Sequence, residues 1–297
     1  MRRTVTVGMC SFMLQGSVFV SSSIAQMPID SVVADVLPNS RRLSSDFSID
    51  RPKQIHGTLL LCGGGLIPLS IREEFHKLGK GGEGSLVLIP TASPRSDNDD
   101  YSSWVDYWSN FRWKTIEIVH AANREEAFVP SLVAKMRNAT AVWISGGEQQ
   151  RLSDRYVGTP IEKELHAMLA RGGIVGGTSA GAAVASSTMI ASSKRIENGE
   201  EEPRFAEGMQ FLPGAIVDQH FSQRNRHGRL MKAIETHPNR VGLGIDESTG
   251  LFVSQEQSRV VGDGAVFVLS AGHGYRKLQA GDLVDHHRLE PSSEKSK

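Results

Sequence analysis

A run of four or five mostly apolar residues, halted by Gly or Ser and followed by a longer mixed segment, recurs along this chain and limits what it can fold into. Thr58–Cys62 runs into Gly63-Gly64-Gly65, Ser85–Ile89 into Pro90-Thr91-Ala92-Ser93, Ala141–Ile144 into Ser145-Gly146-Gly147, and 173–177 into Thr178-Ser179. A further run at 115–119 follows a Trp- and Tyr-rich stretch that predicts a helix. Continuous apolar runs of this length suit strands covered on both faces. The segments between them have room for crossover helices; 162–171 is one, with Leu165, Met168 and Leu169 on a single face. The expected class is therefore α/β, with a mainly parallel sheet sandwiched by helices. Ligands then bind beyond the carboxyl ends of the strands, where the Gly-rich clusters fall. After Val217 the chain becomes richer in strand-like runs (242–245, 250–253, 259–261 and 265–269), which predicts extra strands at one edge.

The ends read differently. Arg2 and Arg3, a moderately apolar stretch over 5–20 and Ser23-Ile24-Ala25 have the layout of a secretory signal over 1–25, which predicts a secreted or periplasmic protein. Residues 26–54 read as a linker carrying Pro28, Pro38 and Pro52, 55–289 as the catalytic α/β domain, and 290–297 as a polar tail. No later segment has 18 continuous apolar residues, so no transmembrane helix is expected. Lys plus Arg and Asp plus Glu balance at 33 each, which leaves no bulk charge to attract nucleic acid or a membrane surface. A charged substrate would need a local patch. With Cys10 in the leader, Cys62 has no partner for an internal disulfide and no cysteine companions for a metal site. No cofactor and no metal are expected.

Gly177-Thr178-Ser179-Ala180-Gly181 has the form G-x-S-x-G, after an apolar run and before the helix-prone Ala182-Ala183-Val184-Ala185. A nucleophile on a tight strand-to-helix turn needs small neighbours, and the turn aims the hydroxyl at a helix N-terminus that favours developing negative charge. Ser179 is thus the candidate nucleophile. A serine hydroxyl needs a base, since its own pKa lies far above working pH. Among ten histidines, His220 is best placed, because the run Ala215-Ile216-Val217 delivers it to a strand end. The orienting acid is sought between nucleophile and base, among Glu197, Glu200, Glu201 and Glu202; Glu197 is chosen as the first after the run Met189-Ile190-Ala191. The Ser and His lie too close in sequence for an α/β-hydrolase, where the His typically comes much later. The backbone N–H groups of Gly147 and Ala180 are candidates for an oxyanion hole, against the alternative that Gly147 marks a plain turn. Arg224, Arg226 and Arg229 form a local basic cluster in a neutral chain, suited to carboxylates.

Taken together, these segments resemble cyanophycinase. The resemblance is carried by Gly176-Gly177-Thr178-Ser179-Ala180-Gly181-Ala182-Ala183 and by Asp218-Gln219-His220-Phe221-Ser222-Gln223-Arg224. Leu61-Cys62-Gly63-Gly64-Gly65, Ile89-Pro90-Thr91-Ala92-Ser93 and Gly242-Leu243-Gly244-Ile245-Asp246-Glu247 add to it. The likeness spans roughly 55–270 and implies a metal-free, typically dimeric serine exopeptidase with a class I glutamine amidotransferase-like fold. Its substrate would be cyanophycin, a poly-aspartate backbone bearing arginine, or another aspartate-rich peptide, and its products β-Asp-Arg dipeptides. By the same likeness Gln149, Asp218, Gln219, Arg224, Arg226 and Arg229 would bind substrate. The family's Gly-Gly-Asp-Gln is Gly-Gly-Glu-Gln here, and 192–203 has no clear counterpart. An aspartyl dipeptidase-like amide hydrolase and a non-catalytic binding protein on the same scaffold are the competing expectations.

Overall fold

The computed structural model describes residues 56–196, 201–255, 257–271 and 274–285; the expected leader, linker and polar tail lie outside them. Every apolar run read from the sequence before Ser179 is a strand: β1 (Thr58–Cys62), β2 (Ser85–Ile89), β3 (Thr115–Ile118), β4 (Ala141–Ile144) and β5 (Ile174–Thr178). They pair in parallel in the order β1-β5-β4-β2-β3. The period-2 alternation of a strand sends Leu59, Leu61, Val87, Ile89, Val142 and Ile144 to one face, and Leu60, Leu86, Leu88 and Trp143 to the other.

Both faces are covered, which is why the runs are continuous. α1 (Leu69–Leu78) and α2 (Ser102–Ser109) cover one face, with Phe75 and Trp108 packed edge-to-face with Trp143 at ring-centroid distances of 5.2 and 5.0 Å. α3 (Pro130–Arg137), α4 (Gln149–Tyr156), α5 (Pro160–Ala170) and the short α6 (Ala180–Ala183) cover the other. The helix read at 162–171 is α5, and Leu165, Met168 and Leu169 are all fully buried. Each such side chain contributes about 1.5–3 kcal/mol by leaving water.

The later strands divide into three groups. β6 (Thr188–Arg195) and β7 (Glu201–Glu207) pair antiparallel in the region where the orienting acid was sought. β8 (Ala215–Gln219), β9 (Val241–Ile245), β12 (Ala265–Ser270) and β13 (Gly274–Gln279) make a second, four-stranded sheet, with β8 and β9 parallel and α7 (His227–Thr236) packed on them. β10 (Thr249–Val253), β11 (Gln257–Gly262) and β14 (Leu283–Asp285) extend the first sheet antiparallel beyond β1, as expected of the runs at 250–253 and 259–261, whereas the runs at 242–245 and 265–269 belong to the second sheet. The chain crosses from the second sheet to the first within Asp246-Glu247-Ser248. Asp246 N–H still donates to Ala265 O in one sheet, and Ser248 N–H already donates to Gly64 O beside the other. The carboxyl ends of β1, β5, β8 and β9 therefore meet in one place. Among the described residues, no helix is long and apolar enough to cross a membrane.

Candidate active site

Ser179 stands between β5 and α6 with φ 53° and ψ −111°, a backbone conformation that a residue with a side chain seldom adopts. Such a conformation costs on the order of 1–3 kcal/mol and persists only where the surroundings impose it. Here Ser179 N–H donates to Cys62 O at 2.9 Å, while Ser179 O accepts from the N–H groups of Ala182 and Ala183. The two flanking glycines are required by contact. A Cβ on Gly177 would lie 2.3 Å from Gly181 O, and one on Gly181 would lie 2.3 Å from Ile144 O.

His220 follows β8 directly, and its N–H donates to Gly63 O at 2.7 Å. Its Nε2 lies 2.9 Å from Ser179 Oγ, and its Nδ1 2.5 Å from Glu247 Oε1. A carboxylate only accepts, so the proton sits on Nδ1 and Nε2 keeps a lone pair toward the Ser179 hydroxyl. Burial pushes the His220 pKa below its ordinary value, and Arg224 and Arg226 press the same way, against the hydrogen bond and charge of Glu247. The imidazole is thus neutral near pH 7 and able to take a proton. Gly64 lets the ring sit this close to the β1 loop: a Cβ there would be 2.3 Å from His220 Cε1.

The orienting acid is where sequence reasoning missed. Glu247 fills the position expected of Glu197. Glu197 and Glu200 lie outside the described residues, Glu201 accepts from Ser193 Oγ and sits 3.8 Å from Arg229, and Glu202 is exposed on β7. The register of the second sheet explains the choice. Gln219 pairs with Ile245, so the residues that follow them, His220 on one strand and Asp246-Glu247 on the other, emerge side by side. The segment Gly242 to Glu247 carried part of the family likeness, which was the available clue. Asp246 serves the same junction from the buried side, accepting from Ser222 N–H at 3.0 Å and Ala265 N–H at 3.1 Å.

Ala180 opens α6, where its N–H has no acceptor within the helix. Gly146 lies against Ser179: a Cβ on it would be 3.3 Å from Ser179 Cβ, so the Gly146-Gly147 strip borders the hydroxyl with no side chain between. Gln149 is half-buried, and its Nε2 donates to Ile190 O of β6 at 2.9 Å. Asp218 and Arg229, expected to bind substrate, are instead buried against each other. Arg229 Nε donates to Asp218 Oδ2 at 2.9 Å and its Nη2 to Oδ1. A carboxylate and a guanidinium removed from water must be paired. Arg226 Nη1 joins them, donating to Gln219 O at 2.6 Å and Gln219 Oε1 at 2.7 Å. Arg224 is exposed and close enough to His220 to affect its titration. The basic cluster thus divides into a buried support and an outward Arg224, with the half-buried Arg226 between them. Cys62 is buried at the end of β1, and burial raises its thiol far above the ordinary value. Among the described residues, no group of three or more His, Cys, Asp or Glu is placed to hold a metal ion.

The arrangement can activate a hydroxyl by proton transfer and hold an anion beside it. The chain matches the model of peptidase family S51 over residues 59–261. It is 36% identical over 189 residues to a cyanophycinase of Synechococcus elongatus, covering 61% of this chain and 57% of that protein. It is 33% identical over 233 residues to a cyanophycinase of Geminocystis herdmanii, covering 74% of this chain and 83% of that one. The match to the first relative thus spans little more than half of that relative's length. In three dimensions it resembles a peptidase from an acI-B1 actinobacterium, with a TM-score of 0.64 at 24% identity over 78% of this chain and 98% of the other.

Proposed function

The chain belongs to peptidase family S51, and from that premise we propose that it is a serine-type peptidase of the cyanophycinase kind, releasing β-Asp-Arg dipeptides from multi-L-arginyl-poly-L-aspartate. The observation that carries the reading is the continuous line Glu247–His220–Ser179 at the carboxyl end of a parallel sheet. As Ser179 Oγ attacks the scissile carbonyl, its proton passes to His220 Nε2, and the imidazolium is stabilised by Glu247 across Nδ1. The carbonyl oxygen becomes an oxyanion and accepts from the N–H groups of Ala180 and Gly147. His220 then gives its proton to the leaving amine as the C–N bond breaks. Water, deprotonated by the same imidazole, attacks the acyl ester, and collapse returns the proton to Ser179. Arg224 and Arg226 lie close enough to His220 to act on its titration and suit the carboxylates of an aspartate chain, and Gln219 and Gln149 join them as substrate-binding residues in this reading. Asp218 and Arg229 support them from beneath. The leader read at 1–25 supports an action outside the cytoplasm.

The test is product analysis by mass spectrometry after incubation with cyanophycin, in parallel with Asp-X dipeptides. The wild-type chain should release β-Asp-Arg, and Ser179→Ala should release none while unfolding at a temperature no lower than wild type. Cleavage confined to Asp-X dipeptides would move the assignment to an aspartyl dipeptidase. Full activity in Ser179→Ala would overturn the serine mechanism.

A further inference from the structure

A polar cluster that the mechanism does not use lies at the carboxyl ends of β2 and β3, next to the Gly146-Gly147 strip. Thr91 is fully buried, and its Oγ1 is 2.6 Å from Tyr156 Oη and 3.0 Å from His120 Nδ1. Tyr156 Oη in turn accepts from Ala121 N–H at 3.1 Å. Arg151, in the first turns of α4, spans two partners. Its Nε donates to Thr91 O at 2.9 Å, and its Nη2 donates to both Asp97 oxygens at 2.7 and 2.8 Å. Arg155, one turn on, adds a bond to Asp97 Oδ1 at 3.2 Å and one to Ala121 O at 2.8 Å.

This cluster holds the segment against which the candidate oxyanion strip lies. Glu148 N–H donates to Ala92 O at 2.8 Å. Gly147 adopts φ 146° and approaches Ala92 so closely that a Cβ on it would be 2.2 Å from Ala92 O. The direction of the Gly147 N–H is therefore set by where Ala92 sits, and Ala92 follows the residue whose carbonyl and side chain the cluster holds. We infer that Asp97 and Arg151 are positioning residues for the oxyanion strip, acting through Thr91-Ala92 on Gly147. Arg151 ties α4, which starts at the end of the strip, back to Thr91, so the strip is anchored on both sides. Asp97 holds Nη2 with both of its oxygens and so fixes the guanidinium in the orientation that lets Nε reach Thr91 O, two tasks at separate nitrogens that a lysine's single ammonium cannot share. Small misplacements of a catalytic donor are costly, because a hydrogen bond aimed at a developing charge depends steeply on distance and angle.

The inference rests on the peptidase reading, and the experiment separates the two. Asp97→Asn and Arg151→Lys are compared with wild type on a soluble cyanophycin fragment, measuring kcat, KM, the pH profile of kcat/KM and the unfolding midpoint. Both variants should lower kcat about tenfold, less than the hundredfold or more seen when an oxyanion donor is removed outright. KM should stay within twofold, and the acid limb set by His220 should not move. An unchanged kcat in both variants, or kcat falling only in step with a rising KM, overturns the inference and leaves the peptidase reading standing. A wild-type chain that does not cleave the fragment overturns the peptidase reading itself. Should Asp97→Asn fail to fold, Arg151→Lys carries the test alone, since it keeps a cation beside Asp97 and removes only the bridge.

Discussion

Replacing Glu247 by Gln removes one charge and leaves the shape of the side chain. Its Oε1 is 2.5 Å from His220 Nδ1, so the carboxylate does two things: it holds the proton on Nδ1 and stabilises the imidazolium once Nε2 has taken the serine proton. In a triad with a fully buried Asp, the corresponding loss is about 10⁴ in kcat. The Glu247 side chain is 36% exposed, so water can replace part of its electrostatic effect. The expected loss for Glu247→Gln is therefore about 10²–10³ in kcat/KM, or about 2.7–4 kcal/mol of transition-state stabilisation at 1.36 kcal/mol per decade. The pH profile supplies an independent check. Glu247 is the influence that raises the His220 pKa, opposing burial, Arg224 and Arg226. Without it the free-enzyme pKa falls further. Since His220 works in its neutral form, the acid limb of kcat/KM should shift to lower pH than in wild type, where burial already holds the imidazole below its ordinary value. Steady-state kinetics from mildly acidic to neutral pH on a soluble cyanophycin fragment measure both quantities. A loss under about threefold, or an acid limb displaced to higher pH, would refute the assignment of Glu247 as the orienting acid.

Two other substitutions probe the scaffold of the site. Gly64→Ala places a Cβ 2.3 Å from His220 Cε1 on a backbone with φ 107°, so it should displace the ring from Ser179 and cut kcat by about 10² or more. Loss of fluorophosphonate labelling at Ser179 would report this directly, and wild-type labelling would count against it. Asp218→Asn removes the buried, directly bonded counter-charge of Arg229 and leaves it only the more distant, part-exposed Glu201 at 3.8 Å, at a cost of about 3–5 kcal/mol. In a domain of this size that lowers the unfolding midpoint by on the order of 10 °C, and a shift under about 2 °C would show that the pair is not a structural support.

Much of the chemistry was legible along the chain because it depends on local rules. Continuous apolar runs mark doubly covered strands whatever their order in the sheet, and a Ser between two glycines at a strand-to-helix turn is forced by sterics, which needs only neighbouring residues to recognise. His220 was readable for the same reason, as a His delivered by an apolar run. Glu247 was not, because α7 and β9 intervene between it and His220, and only the parallel register of β8 against β9 brings the two together. Nor could sequence divide the arginines, since the inward turn of Arg229 onto Asp218 depends on α7 packing against β8. Local propensity thus determined which residues stand at strand ends, while the pairing of strands far apart in sequence decided which of those ends share a site. That pairing is set by the burial of whole sheet faces, a quantity no short stretch of sequence contains.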